Sequence, residues 1–530
     1  MAKEKQSATA VENYEIGDFS PLAGPIEDAA DFNATFPEPG TGPGLPDLAE
    51  PGETIRGKPV LALGENVPGT VNWQIDAGVE QDTSDGVITY GFFDHKHALG
   101  LNNNPGFGEG FGYTPFSEAQ KEAARVAIDN WDDLISATFV ETAPEPGAKD
   151  WAQNGTDIWL ANTYTGPAQA WAYYPGSGQP YTKVYGDVWI ADPRFNTSNL
   201  QLDPGFYGLQ TLNHELGHSL GLSHPGNYNF GDDQDGDGVA DPITYEGDAF
   251  YFQDSHQYTI MSYFDSFETG NDQIDWNLMR FVYPSTPMVH DIAVIQNKYG
   301  ADMTTRTGDT TYGFNATADV TNEAMRFEDN EMITIFSIWD AGGNDTLDLS
   351  GYDSNSVIDL RPGAYTSAGG PGEELSLAEI NANNAAAGLG SRTAAYDLYF
   401  GGRAGANEGI PWSEIVDTDF VMDNNIGIAY GAIIENAIGG GGDDQLNGNS
   451  ANNALTGGGG ADTFVFANDS SVDTITDFES GEDVIDFSEL NVDALDVEID
   501  GQHIYATTDT GVVHVIAQGD QVLISDIFFG

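Results

Sequence analysis

An α+β domain followed by an all-β domain of the parallel β-roll type is the fold the sequence predicts, and three observations predict it. Up to about residue 301, strand-like and helix-like hydrophobic periods alternate. Beyond that point short apolar runs are set in Gly, Asp, Asn and Thr. Within this second part a nonapeptide of the form G-G-x-G-x-D-x-apolar-x recurs. At 530 residues the chain is too long for one ordinary core, so more than one domain is required.

Residues 1–65 are rich in Pro, Gly, Asp and Glu, as in PEPGTGPGLPDLAEPGE, and read as a disordered leader or propeptide. VNWQID and VITYGFF then read as strands. In TPFSEAQKEAARVAIDNWDDLI, Ser117 and Gln120 stand at capping-box spacing, and Ala124, Ile128, Trp131 and Ile135 fall on one face. That is a core-facing helix. TDIWLAN, AQAWAYYPG and YGDVWIAD, each bounded by Gly, Pro or Asn, are successive strands of a twisted, mostly parallel sheet. YGLQTLNHELGHSLGL and MVHDIAVIQNKYG are long helices, the second ending on Gly300. These elements make residues 66–301 one α+β domain.

Residues 302–530 form the all-β domain. Residues 439–447 and 457–465 match the nonapeptide well, and 448–456 carries Asn453 in place of the Asp. In such a repeat the glycine-rich turn points carbonyls and a carboxylate at calcium while the apolar residue of a short strand faces the core. One coil uses two nonapeptides, so Asp444 and Asp462, 18 positions apart, stack on the same side of a β-roll or β-sandwich.

Composition narrows the partners. Seventeen basic against 84 acidic residues give a formal charge of −67, which repels nucleic acid and anionic membranes. Such an excess resists compaction unless divalent cations or a salty medium neutralise it. There is no cysteine, so disulfides, thiolate metal sites and thiol nucleophiles are excluded. The N-terminus carries no Sec-type signal and no apolar stretch approaches a membrane span.

TLNHELGHSLGLSH, residues 211–224, spends three of the chain's nine histidines within eleven positions. Positions i and i+4 of a helix lie about 40° apart around its axis, so His214 and His218 can bind one ion. Glu215, one step round, reaches a water on that ion without being a ligand, as a general base must. Gly221 can take a positive φ and return His224 as a third ligand. Three neutral imidazoles and one open position point to a single catalytic zinc.

With YTIMSYF at 258–264, this H-E-x-x-H-x-x-G-x-x-H stretch resembles the metzincins, and the glycine-aspartate repeats narrow the resemblance to the serralysins, secreted calcium-binding zinc proteases of Gram-negative bacteria. It implies an α+β metzincin catalytic domain followed by a calcium-binding parallel β-roll, with Met261 in a tight turn beneath the zinc. It makes Tyr263 a switchable extra zinc ligand that also stabilises the oxyanion; by itself Tyr263 is one of 23 tyrosines. Carried over residue by residue, the resemblance implies calcium ligands at Arg306, Gly308, Thr310, Asp340, Gly342, Gly343, Asp345, Glu435, Gly440, Gly442, Asp444, Gly458, Gly460 and Asp462. It also makes DIFFG, the last five residues, a C-terminal type I secretion signal recognised by the export machinery.

The implied protein is a monomeric, extracellular, calcium-stabilised zinc endopeptidase acting on polypeptides with broad specificity. An extended substrate would lie along AWAYYPG and YGDVWIA, and Glu215 would activate the attacking water. The competing reading is a calcium-dependent surface or adhesion protein with a vestigial protease domain, which would have no need of Glu215. Two features stand apart from the resemblance. Residues 371–425 form an insertion of open role. GDDQDGDGVAD has the D-x-D-x-D-G opening of an EF-hand loop at Asp233, Asp235, Asp237 and Gly238, with Asp241 beyond, but Thr244 stands where the bidentate Glu is needed.

Overall fold

The computed structural model describes residues 51–93, 112–143, 156–167, 169–176, 185–229, 241–271, 273–328, 333–393, 396, 420–468, 471–490, 492, 495–509 and 511–529. Residues 1–50 of the expected leader, and Asp233, Asp235, Asp237 and Gly238 of the EF-hand-like loop, lie outside them. The described residues divide into two compact units, one of residues 51–269 and 283–303, the other of 270–282 and 304–529.

The first unit opens with strands β1 (Thr54–Ile55) and β2 (Lys58–Pro59), an antiparallel hairpin. The disorder expected up to residue 65 does not hold here, because Lys58 and Val60 are buried. Helix α1 (Val71–Ile75) follows, its N-terminus capped by the Thr70 hydroxyl. The strand expected at VNWQID is therefore a single helical turn, too short to show a period of 3.6.

Strands β3 (Val87–Phe92), β4 (Tyr113–Thr114), β5 (Thr138–Glu141), β6 (Ile158–Thr163), β7 (Ala170–Ala172) and β8 (Val188–Ala191) build one sheet. Its order is β5-β3-β6-β8-β7, with β4 antiparallel to β6. The pairs β3–β5, β3–β6 and β6–β8 are parallel, and β7 closes one edge antiparallel to β8. Helix α2 (Glu118–Asp132) starts on the capping box of Ser117 and Gln120. Its predicted face is realised: Ala124, Ile128 and Trp131, with Ile135 just beyond, are at most 1% exposed. Helices α3 (Tyr207–Ser219), α4 (Tyr245–Asp248) and α5 (Val289–Tyr299) complete the unit, α5 ending on Gly300 at φ 79°.

The second unit begins with the hairpin β9 (Ile274–Asp275) and β10 (Arg280–Phe281). Its strands continue as β11 (Thr311–Gly313), β12 (Phe336–Ile338), β13 (Thr346–Asp348), β14 (Val357–Asp359), β15 (Tyr365–Thr366), β16 (Ile426–Ile428), β17 (Asn436–Ile438), β18 (Gln445–Asn447), β19 (Ala454–Thr456), β20 (Thr463–Val465), β21 (Val472–Phe478), β22 (Val484–Asp486), β23 (Val497–Asp500), β24 (His503–Thr507), β25 (Val512–Gly519) and β26 (Ile527–Phe528). Two sheets alternate along the chain: β11-β13-β17-β19-β21-β25-β24-β23 and β14-β18-β20-β22-β26. Within these two sheets, among the described residues, the successive coils pair in parallel and β25-β24-β23 turn antiparallel.

The register explains the repeat. Leu347, Ala437, Leu455 and Ile475 stack in one sheet, and Ile358, Leu446, Phe464 and Ile485 in the other. All eight are fully buried, so one apolar side chain per three-residue strand supplies the core of the roll. The DIFFG terminus joins this architecture: β26 pairs in parallel with β22, Ile527 is buried, and Asp526 accepts the Ser480 hydroxyl.

The described part of the 371–425 insertion carries helix α6 (Leu377–Ala386), capped by Ser376 and Glu379. Its Asn383 and Asn384 amides donate to the Asn277 and Leu278 carbonyls at the tip of the β9–β10 hairpin. Trp276 meets Phe420 edge-on at 5.3 Å. The insertion thus holds the β9–β10 hairpin within its own unit. Among the described residues no helix is long and apolar enough to cross a membrane.

Candidate metal centre

Helix α3 has every residue buried, and it carries His214, Glu215 and His218. After it Gly221 takes φ 88°, where a Cβ would collide with the Val79 carbonyl oxygen. The turn is stapled from outside: Ala77 N–H donates to Gly221 O, and Ser223 N–H to Ile75 O. Glycine is required there, and the reversal delivers His224 to the two helical histidines.

The three rings are oriented by their Nδ1 atoms. His214 Nδ1 lies 2.8 Å from Ile260 O, His218 Nδ1 2.7 Å from Leu222 O, and His224 Nδ1 2.9 Å from Tyr228 O. A ring nitrogen facing a carbonyl must carry the proton, which leaves each Nε2 with a lone pair. The Nε2 atoms converge: His214 lies 3.1 Å from His218 and 3.3 Å from His224. Burial keeps the His214 imidazole neutral, pulling its pKa down to about 4. Burial, then the neighbouring histidines, pulls His218 well below the usual range. Neutral rings with converging lone pairs cannot hydrogen-bond one another, so the cluster fits a divalent cation, and its three nitrogen donors fit zinc.

Glu215 is fully buried, and neither carboxyl oxygen has a hydrogen-bond partner among the described residues. Burial raises its pKa well above the carboxylate range. Leaving two such oxygens unpaired costs on the order of several kcal/mol, which a group kept for a bound ligand can sustain. Met261 is buried beneath the helix, its Sδ 2.5 Å from where a Gly217 Cβ would stand. The half-buried Tyr263 ring lies 4.3 Å from the His224 ring and 5.2 Å from that of Tyr228. Tyr174, just past edge strand β7, meets His218 edge-on at 5.7 Å, so this edge of the sheet runs by the cluster.

Several residues that hold this site were not singled out in the sequence. Asp291, third residue of α5, accepts Thr259 Oγ1, Ile260 N–H and Met288 N–H, fixing the turn whose Ile260 carbonyl holds His214. Its place in the first turn of a helix is the one signal that could have found it. Asp254 receives the hydroxyls of Tyr228 and Ser262, on either side of the site. Asn213 is fully buried: its amide donates to Leu209 O and Ser285 O and accepts from Asn130, while the Trp131 indole donates to its carbonyl. Asn213 therefore ties helix α3 to helix α2.

In the second unit the residues implied for calcium fall into two groups. Thr310 N–H donates to Asp345 Oδ1, Asp345 N–H to Glu435 Oε2, and Gly342 N–H to Asp340 Oδ1. A Cβ on Gly343 would collide with Gly308 O and Asp345 Oδ1, so these oxygens crowd one spot. Asp345 Oδ2 is buried with no partner among the described residues. Burial first, then Asp340 and Glu435, pushes Asp345 up to about 7. Arg306 spends its guanidinium on Trp339 O and Tyr312, leaving only its carbonyl for an ion.

Along the roll Ser356 N–H donates to Asp444 and Asp444 N–H to Asp462, a ladder of buried carboxylates. A Cβ on Gly458 or Gly460 would collide with the carbonyl of Gly440 or Gly442, so the glycine carbonyls of one coil press against the glycine backbone of the next. Such oxygen-only, like-charged clusters suit calcium. The coil with Asn453 differs. There Asn449 Nδ2 donates to Ile434 O and Leu360 O, and Asn453 Nδ2 to Glu435 O, so amide hydrogens satisfy those carbonyls.

A mostly parallel sheet with one antiparallel edge, and a helix whose two histidines are joined by a third after a glycine turn above a buried methionine, define the metzincin class of fold and site. Comparison with known proteins narrows this. The family model described as peptidase M10 serralysin C terminal matches residues 301–409 and 412–514. The chain is 39% identical over 283 residues to serralysin C of Dickeya chrysanthemi, covering 53% of this chain and 54% of that protein. It is 36% identical over 312 residues to the serralysin of Proteus mirabilis, covering 57% and 58%, and 34% identical over 399 residues to that of Photorhabdus luminescens, covering 71% and 66%. The chain belongs to the serralysin family. It spans little more than half the length of the Dickeya and Proteus relatives.

Proposed function

We propose that the chain is a secreted zinc endopeptidase of broad specificity, stabilised by several calcium ions. One observation carries the reading: three neutral imidazoles converge their Nε2 atoms beside a buried glutamate with no hydrogen-bond partner among the described residues. His214, His218 and His224 would hold the zinc. When bound, zinc would acidify a coordinated water and polarise the scissile carbonyl.

The chain's own residues do the rest. A substrate strand adds antiparallel to β7, an edge strand that no other strand covers among the described residues, and backbone pairing of this kind reads little side-chain sequence. The Glu215 carboxylate, made a stronger base by its burial, takes the proton of the attacking water and passes it to the leaving amine. The Tyr263 hydroxyl, beside the His224 ring, donates to the developing oxyanion, a contribution of the size that removing one such donor costs elsewhere, about 3–4 kcal/mol.

In the second unit the two oxygen clusters hold structural calcium. Export by a type I machinery through the DIFFG terminus, and action as an extracellular monomer on polypeptides, complete the proposal. Removing zinc with a chelator while calcium is kept in excess should abolish casein cleavage, and one equivalent of zinc should restore it. Cleavage that survives verified zinc removal would refute the proposal.

A further inference from the structure

The first described residues of the chain spend two of its seventeen basic side chains on one short loop. Arg56, at the turn of the β1–β2 hairpin, pairs with Glu246 and Glu268 and donates to the Glu268 carbonyl at 2.6 Å. Lys58 donates to the Ala249 carbonyl at 2.6 Å and to that of Glu246 at 3.2 Å. Both cations lie 4.9 Å from the centre of the Tyr245 ring. Leu61 N–H and C=O bracket the Gln253 amide. These contacts join residues about 190 to 210 apart in sequence, so the hairpin is built into the catalytic unit.

From Tyr245 a packed path leads to the metal cluster. Tyr245 meets Phe264 edge-on at 5.4 Å, Phe264 meets Tyr228 at 5.0 Å, and Tyr228 stacks on His224 at 5.4 Å. Tyr228 also receives His224 Nδ1 on its carbonyl, and Tyr263 packs against the same aromatic group. A side chain in such a core transmits a displacement because no free volume absorbs it.

We infer that Arg56 and Lys58 are positioning residues: they clamp the 245–268 loop so that the Tyr228–Phe264–Tyr263 group holds His224 in line with His214 and His218. It follows that any N-terminal processing compatible with a working site stops before Thr54. The inference rests on the zinc-peptidase reading above and adds that its geometry depends on a hairpin some 160 residues upstream of the histidines.

The test uses the full chain saturated with calcium, comparing wild type with Arg56→Ala, Arg56→Lys and the milder Glu246→Gln. Peptide kcat and KM are measured, with the rate of zinc transfer to a chromophoric chelator. For Arg56→Ala, kcat should fall roughly tenfold with KM within about twofold, and zinc release should quicken about fivefold, because a small misplacement at a catalytic group is costly. Arg56→Lys should recover most of both, and Glu246→Gln should shift both by about twofold. If Arg56→Ala does not fold, Glu246→Gln decides alone.

Variants that release zinc and turn over as wild type does would overturn the inference while leaving the peptidase reading intact. A wild type that binds no zinc would overturn both. Sequencing of the active species should find its first residue at or before Thr54, and an active species beginning beyond Thr54 would also overturn it.

Discussion

Replacing Gly221 by alanine is the sharpest perturbation that leaves every metal-centre side chain in place. Its φ of 88° favours glycine, and holding another residue in such a region costs about 1–3 kcal/mol. The added methyl would also meet the Val79 carbonyl, and Lys298 Cε at 3.0 Å. Neither neighbour is free to yield. Ala77, two residues from Val79, donates to Gly221 itself, and Lys298 is bonded to Asp76 at 2.8 Å. Overpacking of this kind adds about 1–3 kcal/mol.

The sum is roughly 2–6 kcal/mol, and it is relieved most directly by letting residues 221–224 swing away, taking His224 with them. At 1.4 kcal/mol per decade, zinc affinity should fall by about thirtyfold or more. A competition titration against a chelator of known affinity measures this, while the thermal transition of the second unit, followed separately, should not move. Zinc affinity within threefold of wild type would refute the argument that this turn delivers the third ligand.

Two further outcomes follow from the same geometry. Asn213→Leu should destabilise the first unit by about 2–4 kcal/mol, since it removes the acceptor of Asn130 and one donor to Ser285 O inside a buried helix contact; a denaturant midpoint unchanged from wild type would contradict this. In the second unit burial, followed by neighbouring carboxylates, raises Asp345 and Asp462 to about 7; burial alone of these causes dominates at Asp444, raised to about 6. Groups with raised folded pKa stabilise the fold at low pH and lose that stabilisation as pH climbs through the folded value. Calcium-chelated protein should therefore show a second-unit Tm that falls from about pH 4 to pH 7, and calcium should reverse the slope. A chelated Tm that rises across that window would contradict the assignment of these carboxylates as an uncompensated cluster.

What the sequence made legible was whatever repeats at a fixed spacing. The i, i+4 histidines, the Ser117–Gln120 cap, the Ala124–Trp131 face and the 18-residue offset of Asp444 and Asp462 each translate directly into geometry. What it hid were partners far apart in the chain. PGETIRGKPV looks like the rest of a Pro- and Gly-rich leader until Arg56 and Lys58 are seen to pair with residues beyond 245. Asp291 looks like a helix cap until the oxygen that caps Met288 N–H is found to accept Ile260 N–H as well. Asn213, within the histidine stretch, proves to be the buried amide that joins α3 to Asn130 of α2 and to the Ser285 carbonyl. VNWQID failed for a different reason, since five residues cannot display a helical period.

The central claim is that Glu215 moves the proton while three histidines hold the ion, and Glu215→Gln separates the two roles. The amide keeps the shape and the polarity of the side chain but cannot accept the proton. This variant should retain one equivalent of zinc, measured on protein loaded with calcium, while casein cleavage falls by at least about a hundredfold, the scale of general acid-base catalysis. Full zinc occupancy with cleavage near the wild-type rate would contradict it.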